Sequence, residues 1–129
     1  MANWWGSSRS NYFRVKDLDR FKSWVEDLEQ IDILYSGSGL VAISGKYDGG
    51  WPHVRGEECD SFDLFQELSQ HLADGEIAVL IEAGAEKLCY ITGEAVAVTS
   101  RGEKVSLRLE QIYDLAEQAF GQRPSRAEY

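Results

Sequence analysis

A chain of 129 residues with 43% hydrophobic and 27% charged content and only two prolines has the length and composition of one globular domain, and neither disulfides nor metal are required for its core. Its 22 acidic and 13 basic residues leave a net charge of -9, and a pI near 4.6 excludes phosphate-gripping surfaces for nucleic acid or anionic membrane. No apolar run reaches the length of a signal peptide core or a membrane span, so a cytoplasmic protein is expected. In that setting Cys59 and Cys89 are expected to be free thiols.

In chain order, residues 1–10 are rich in Ser, Gly and Asn and read as a loose arm, with Trp4 and Trp5 as its candidates for exposure. Asn11 to Val15 follows as a short strand. Asp17 caps a helix to about Gln30, because Leu18, Phe21, Val25 and Leu28 recur with helical spacing. Ile31–Tyr35 and Leu40–Lys46 are predicted strands joined at the SGSG turn. After a loop over residues 47–58 comes a second helix from Phe62 to Ala73, with Asp60 or Ser61 as its N-cap and Asp74-Gly75 as its end. Glu76–Ala83, Lys87–Thr92 and Glu94–Ser100 read as three strands broken at Gly84 and Gly93. Lys104 and Val105 extend the last strand, Ser106 caps a final helix to Phe120, and residues 121–129 form a frayed tail.

The order β-α-β-β-α-β-β-β-α, with turns too short for crossovers, predicts an α+β domain over residues 11–120 whose helices pack on a mainly antiparallel sheet.

From Gly56 to Glu86 the chain carries nine acidic residues and no Lys or Arg. On the second helix Asp60, Asp63, Glu67 and Asp74 fall opposite Phe62, Phe65, Leu68 and Leu72. On the last helix Glu110, Asp114 and Glu117 fall opposite Leu109, Ile112, Ala116 and Ala119. The Cβ atoms of helix residues three or four apart stand about 5–6 Å from one another. None of Asp63, Glu67, Glu110, Asp114 and Glu117 has a Lys or Arg four residues on. Such stripes are either solvated surface or a face for a basic partner. The candidate binding residues are therefore Glu57, Glu58, Asp60, Asp63, Glu67, Asp74, Glu110, Asp114 and Glu117. Trp51, set by Pro52 after two glycines, is the candidate aromatic anchor, with packing as a lid over the sheet edge as its alternative.

Other chemistry has weaker support. SGSGLVAISGK lacks the Gly-Lys-Ser/Thr and following helix of a phosphate loop. His53, Glu57, Glu58 and Cys59 lack the paired spacing of a metal site. Cys59 with His53 or His71 has no accompanying oxyanion hole in the sequence pattern. No metal, no cofactor and no catalytic residues are expected.

The segments NYFRVKDLDRFKSWVEDL, DGGWP, GEIAVLIEAGAEKLCYITGEAVAV and VSLRLEQIYDLA resemble those of small acidic proteins carried by phages, plasmids and integrative elements, over Asn11 to about Ala119. The resemblance implies an inhibitor of host defence, of the anti-CRISPR or antirestriction type, in which carboxylates stand where DNA places phosphates. It implies a basic protein or nucleoprotein complex as partner and no direct contact with nucleic acid. Arg9, Arg14 and Lys16 depart from a uniformly DNA-like surface. Two alternatives stand beside this reading: an immunity protein that neutralises a basic toxin, and a small-ligand binder or enzyme with its site near His53 and Cys59.

Overall fold

The computed structural model describes residues 4–87 and 89–127. Its eight strands and three helices form an α+β fold, in the expected order with two short strands added before the second helix. The strands β1 (Trp4–Ser10), β2 (Ile31–Tyr35), β3 (Val41–Gly45), β6 (Ile77–Glu86), β7 (Tyr90–Thr99) and β8 (Lys104–Arg108) make one six-stranded sheet, in the order β2-β3-β1-β6-β7-β8. All its neighbouring strands are antiparallel. The added strands β4 (Val54–Arg55) and β5 (Asp60–Ser61) pair as a small separate hairpin.

Helix α1 (Leu18–Leu28) starts where expected, because the Asp17 carboxylate accepts from the Asp19 and Arg20 N–H groups. It ends at Glu29, which takes the left-handed conformation with φ 60°. Phe21, Val25 and Leu28 repeat at i, i+4 and i+7 and are its buried stripe. Helix α2 (Leu64–His71) is shorter than expected. Its N-cap is Asp63, whose carboxylate accepts from Phe65 N–H and Gln66 N–H, and not Asp60 or Ser61, which belong to β5. Both helices lie on one face of the sheet, where their apolar stripes meet Ile31, Val41, Ile43, Leu80 and Val98. Among the described residues, no helix is long and apolar enough to cross a membrane.

Four further expectations are corrected. The loose arm is a strand: β1 lies inside the sheet between β3 and β6, pairing Trp4 to Ser10 with Glu86 to Leu80, so the domain begins before Asn11. Met1 to Asn3 lie outside the described residues. Asn11–Val15 is not a regular strand and pairs only through the bridges Phe13–Val41 and Val15–Leu72. Gly84 and Gly93 do not break strands, since β6 and β7 run through them as a hairpin of two ten-residue strands. Finally, Ser106 lies within β8, and helix α3 (Gln111–Phe120) begins later, after Glu110.

Trp51 is a core residue, 3% exposed, and belongs to the central hydrophobic cluster. It is not available as a surface anchor. Burial of so large an apolar side chain outweighs what a loop position would otherwise leave in water.

Candidate functional site

The predicted acidic residues separate into three groups. Glu57, Glu58 and Asp60 are exposed at the tip and arm of the β4–β5 hairpin, and none forms an ion pair among the described residues. The tip is held in one shape. Cys59 N–H donates to the Gly56 carbonyl at 3.1 Å and Phe62 N–H to the His53 carbonyl at 3.0 Å. Gly56 and Cys59 both take positive φ, 77° and 53°. Asp63 serves as the α2 cap, and Asp74 lies exposed just past the end of that helix.

Glu67 belongs to a different setting and is removed from the outward stripe. Its Oε1 accepts from Arg55 Nη1 at 2.6 Å and from Trp24 Nε1 at 3.0 Å, and its side chain is 25% exposed. Arg55 in turn lies over the Phe62 ring at 5.0 Å, so this pair fastens the hairpin to α2.

The α3 acids are met by arginines that helical spacing did not reveal. Arg123 Nη1 donates to Asp114 Oδ1 and to Glu117 Oε2, both at 2.7 Å. Glu110 has Arg108 at 3.5 Å and Arg126 at 3.9 Å. The expected frayed tail is folded back as far as it is described: Arg126 lies over the Tyr113 ring and Ala127 N–H donates to the Tyr113 hydroxyl at 2.7 Å. The apolar residues expected to face inward here do not, for Leu109 and Ile112 are 52% and 59% exposed.

A groove of about 550 Å³ opens between the sheet and this C-terminal segment. Strand register builds its floor. Glu82 lies opposite Ser8 on one side and Glu94 on the other, and Glu94 lies opposite Arg108. Alternation sets this row on the same face as Leu80 and Val96. Two carboxylates directly opposite each other repel. The repulsion is offset by the Trp51 backbone N–H, which donates to Glu82 Oε2 at 3.0 Å, and by Arg108 Nε, 4.0 Å from Glu94 Oε2.

Glycines shape the walls. A Cβ on Gly50, which also takes positive φ, would collide with the Glu82 carboxylate, so this glycine lets the loop reach that carboxylate. A Cβ on Gly84 would strike the Trp4 indole, which lies across the strand there and donates from Nε1 to the Asp48 carbonyl at 2.6 Å. Gly93 leaves room for Leu109 in the same manner. Tyr90 stands beside Trp4 with ring centroids 6.0 Å apart. Its hydroxyl pKa is raised by loss of hydration and by the neighbouring Glu86. Aromatic walls over carboxylates suit a cationic group, yet both carboxylates already hold internal partners.

Trp4, Glu82, Tyr90, Glu94 and Arg108 went unrecognised in the sequence as one site. The available signal was a glycine inside each of two apolar strands, the mark of close approach by another group.

His53 and Cys59 are exposed on the hairpin, and Cys59 and Cys89 are free thiols. Among the described residues no three His, Cys, Asp or Glu side chains gather as a metal-binding group. His71 packs against Trp24 with ring centroids 4.9 Å apart and meets Phe21 edge-on at 5.9 Å. Burial lowers its pKa below the ordinary 6.5, with Arg20 adding to the effect. The unfolded chain therefore takes up the proton first as pH falls. The His71 contribution to stability is complete above about pH 6.5 and declines below it toward the folded-state pKa. Thermal midpoints measured at about pH 7.5 and about pH 5.5 should differ less for His71→Gln than for the parent. An equal or larger difference in the variant would contradict this account.

Comparison with family models, with curated proteins and with solved structures finds no match. The fold and groove define an α+β protein whose sheet carries helices on one face. Its function rests on its own geometry.

Proposed function

We propose that this chain is a non-enzymatic binding protein that engages a basic, nucleic-acid-handling protein or complex through its acidic β4–β5 hairpin. Inhibition of a host defence nuclease system is the consequence that its resemblance to anti-CRISPR and antirestriction proteins suggests. The observation that carries the reading is the contrast between its acidic groups. The carboxylates of α3 are matched by Arg108, Arg123 and Arg126, whereas Glu57, Glu58 and Asp60 stand exposed on a braced turn without an ion pair among the described residues.

Exposed charges on a preorganised turn raise the rate of encounter with a basic surface and fix its orientation. They lose little entropy on binding because the turn is already ordered. Screening over about 8 Å at physiological ionic strength makes such binding salt-sensitive.

The test is capture from lysate of the native host at low and high salt, read by mass spectrometry. A nucleic-acid-binding complex retained at low salt and reduced at high salt is expected. The triple variant Glu57→Lys, Glu58→Lys, Asp60→Lys should weaken capture at least about tenfold, with an unchanged circular-dichroism spectrum. Undiminished capture by that variant would defeat the proposal.

A further inference from the structure

The helices α1 and α2 cover only one face of the sheet, and the described residues leave the opposite face of its β1-β6-β7-β8 part exposed and largely apolar. Alternation puts Trp5, Ile77, Ile81, Ile91, Val105 and Leu107 on that opposite face. Their exposures run from 51% for Ile81 to 73% for Trp5. The face has a definite relief. Ala95 and Ala97 follow one another along β7 as small residues, and beyond them the Leu109 side chain lies over Gly93. Beside them rise Val79 and Ile81 on β6, and Val105 and Leu107 on β8. The result is a shallow trough running with β7, between β6 and the edge strand β8.

The same chain carries an uncovered helix. None of the residues of α3 is buried, although Ile112, Leu115, Ala116 and Ala119 recur at i, i+3, i+4 and i+7 as a core-facing helix requires. Ile112, Leu115 and Phe120 are 59%, 57% and 81% exposed. In its own chain the helix meets the groove through Ile112 and Tyr113 of its first turn, and Leu115 and Phe120 remain in water. Its flanking carboxylates are paired with Arg123, so its approach to an apolar face is not opposed by two bare charges.

We propose that these two surfaces cover each other between two copies of this chain, with α3 of each protomer lying along the β7 trough of the other. The area supports this choice. The six sheet residues and three helix residues, at about 100 Å² or more of exposed side chain each, leave about 1,000 Å² of apolar surface per chain, against about 800 Å² per partner in a standard interface. A twofold arrangement is self-consistent, since each copy presents both a trough and a ridge and exchange buries both at once.

Sedimentation of the full chain from about 1 to about 100 μM is the first test, because apolar interfaces of this size hold in that range. A species of twice 14.5 kDa is expected. Val105→Lys on the trough wall and Leu115→Asp on the helix change residues that are 72% and 57% exposed, so neither disturbs the folded protomer. Each should weaken the dimer at least about hundredfold, with circular dichroism unchanged.

Exchange itself is read by disulfide trapping in a Cys59→Ser, Cys89→Ser background. A copy with Ala97→Cys mixed with a copy carrying Leu115→Cys should give a covalent heterodimer. A single-chain mass at about 100 μM overturns the proposal and assigns the face to a different partner. A dimer lost in Val105→Lys but kept in Leu115→Asp, or no trapped heterodimer, overturns the role given to α3. The hairpin triple variant should dimerise normally, and Val105→Lys should still capture the basic partner, so the two proposals fail separately.

Discussion

Trp51→Ala is expected to destabilise the protein by about 3–5 kcal/mol, the range for deleting a large aromatic side chain from a packed core. The matched control is Tyr47→Ala in the same loop, where the side chain is 66% exposed and the expected change is within about 0.5 kcal/mol. Urea unfolding with an unchanged slope reads both. The size of the first effect follows from position. Trp51 is 3% exposed, belongs to the central hydrophobic cluster, and brings its backbone N–H to Glu82. Losing the indole leaves a cavity where helix, loop and sheet meet, and the surrounding strands cannot collapse into it without breaking register. A loss below about 1 kcal/mol would mean that the ring lies at the surface after all, and would restore it as a binding anchor.

The second large effect is expected at Gly84. An added methyl group there occupies the space of the Trp4 indole, so Gly84→Ala must displace the ring from the groove wall and break its hydrogen bond to the Asp48 carbonyl. A cost of about 1–3 kcal/mol is expected, with a red-shifted indole emission as Trp4 enters water. Gly37→Ala is the control, since nothing lies within 4 Å of the new Cβ and the position has no positive φ. There the change should be neutral, or stabilising by about 0.4–1 kcal/mol through the unfolded chain. If Gly84→Ala is as stable as the parent, the packing of Trp4 on β6 is wrong. The outcome also bears on the groove, because Trp4 and Tyr90 form one of its walls.

Features governed by near neighbours in the chain were readable from the residues alone. Asp17 caps α1 because its own carboxylate reaches N–H groups two and three residues ahead. The Ser36 hydroxyl accepts from Ser38 and Leu40 N–H, which closes the β2–β3 turn within five residues. The α+β class follows from the same local patterns, since short turns between successive strands leave only antiparallel pairing. Net charge and the concentration of acids between Gly56 and Glu86 are likewise properties of the sequence itself.

Misread features depended on groups far apart in the chain. Residues 4–10 look like an arm because Gly, Ser and Arg carry little apolar signal, yet β6, with pairs from Ser10–Leu80 to Trp4–Glu86, supplies a full ladder of partners from far along the chain. Gly84 and Gly93 resemble breaks because glycine weakens a strand, but here their missing side chains make room for Trp4 and Leu109. The α3 stripe looks unpaired because helical spacing searches only i+3 and i+4. The chain reverses at Gly121, with φ 76°, and returns Arg123 to Asp114 and Glu117 from nine and six residues away.

The sequence by itself determined the fold class, the α1 cap, the β2–β3 turn and the sign of the surface, because propensity, capping and charge act over a few residues. Only the tertiary structure decided which carboxylates are matched by arginines, that Trp51 is core, and which sheet face the described residues leave exposed. Those depend on what the chain brings back from a distance to fill, pair or leave open each surface.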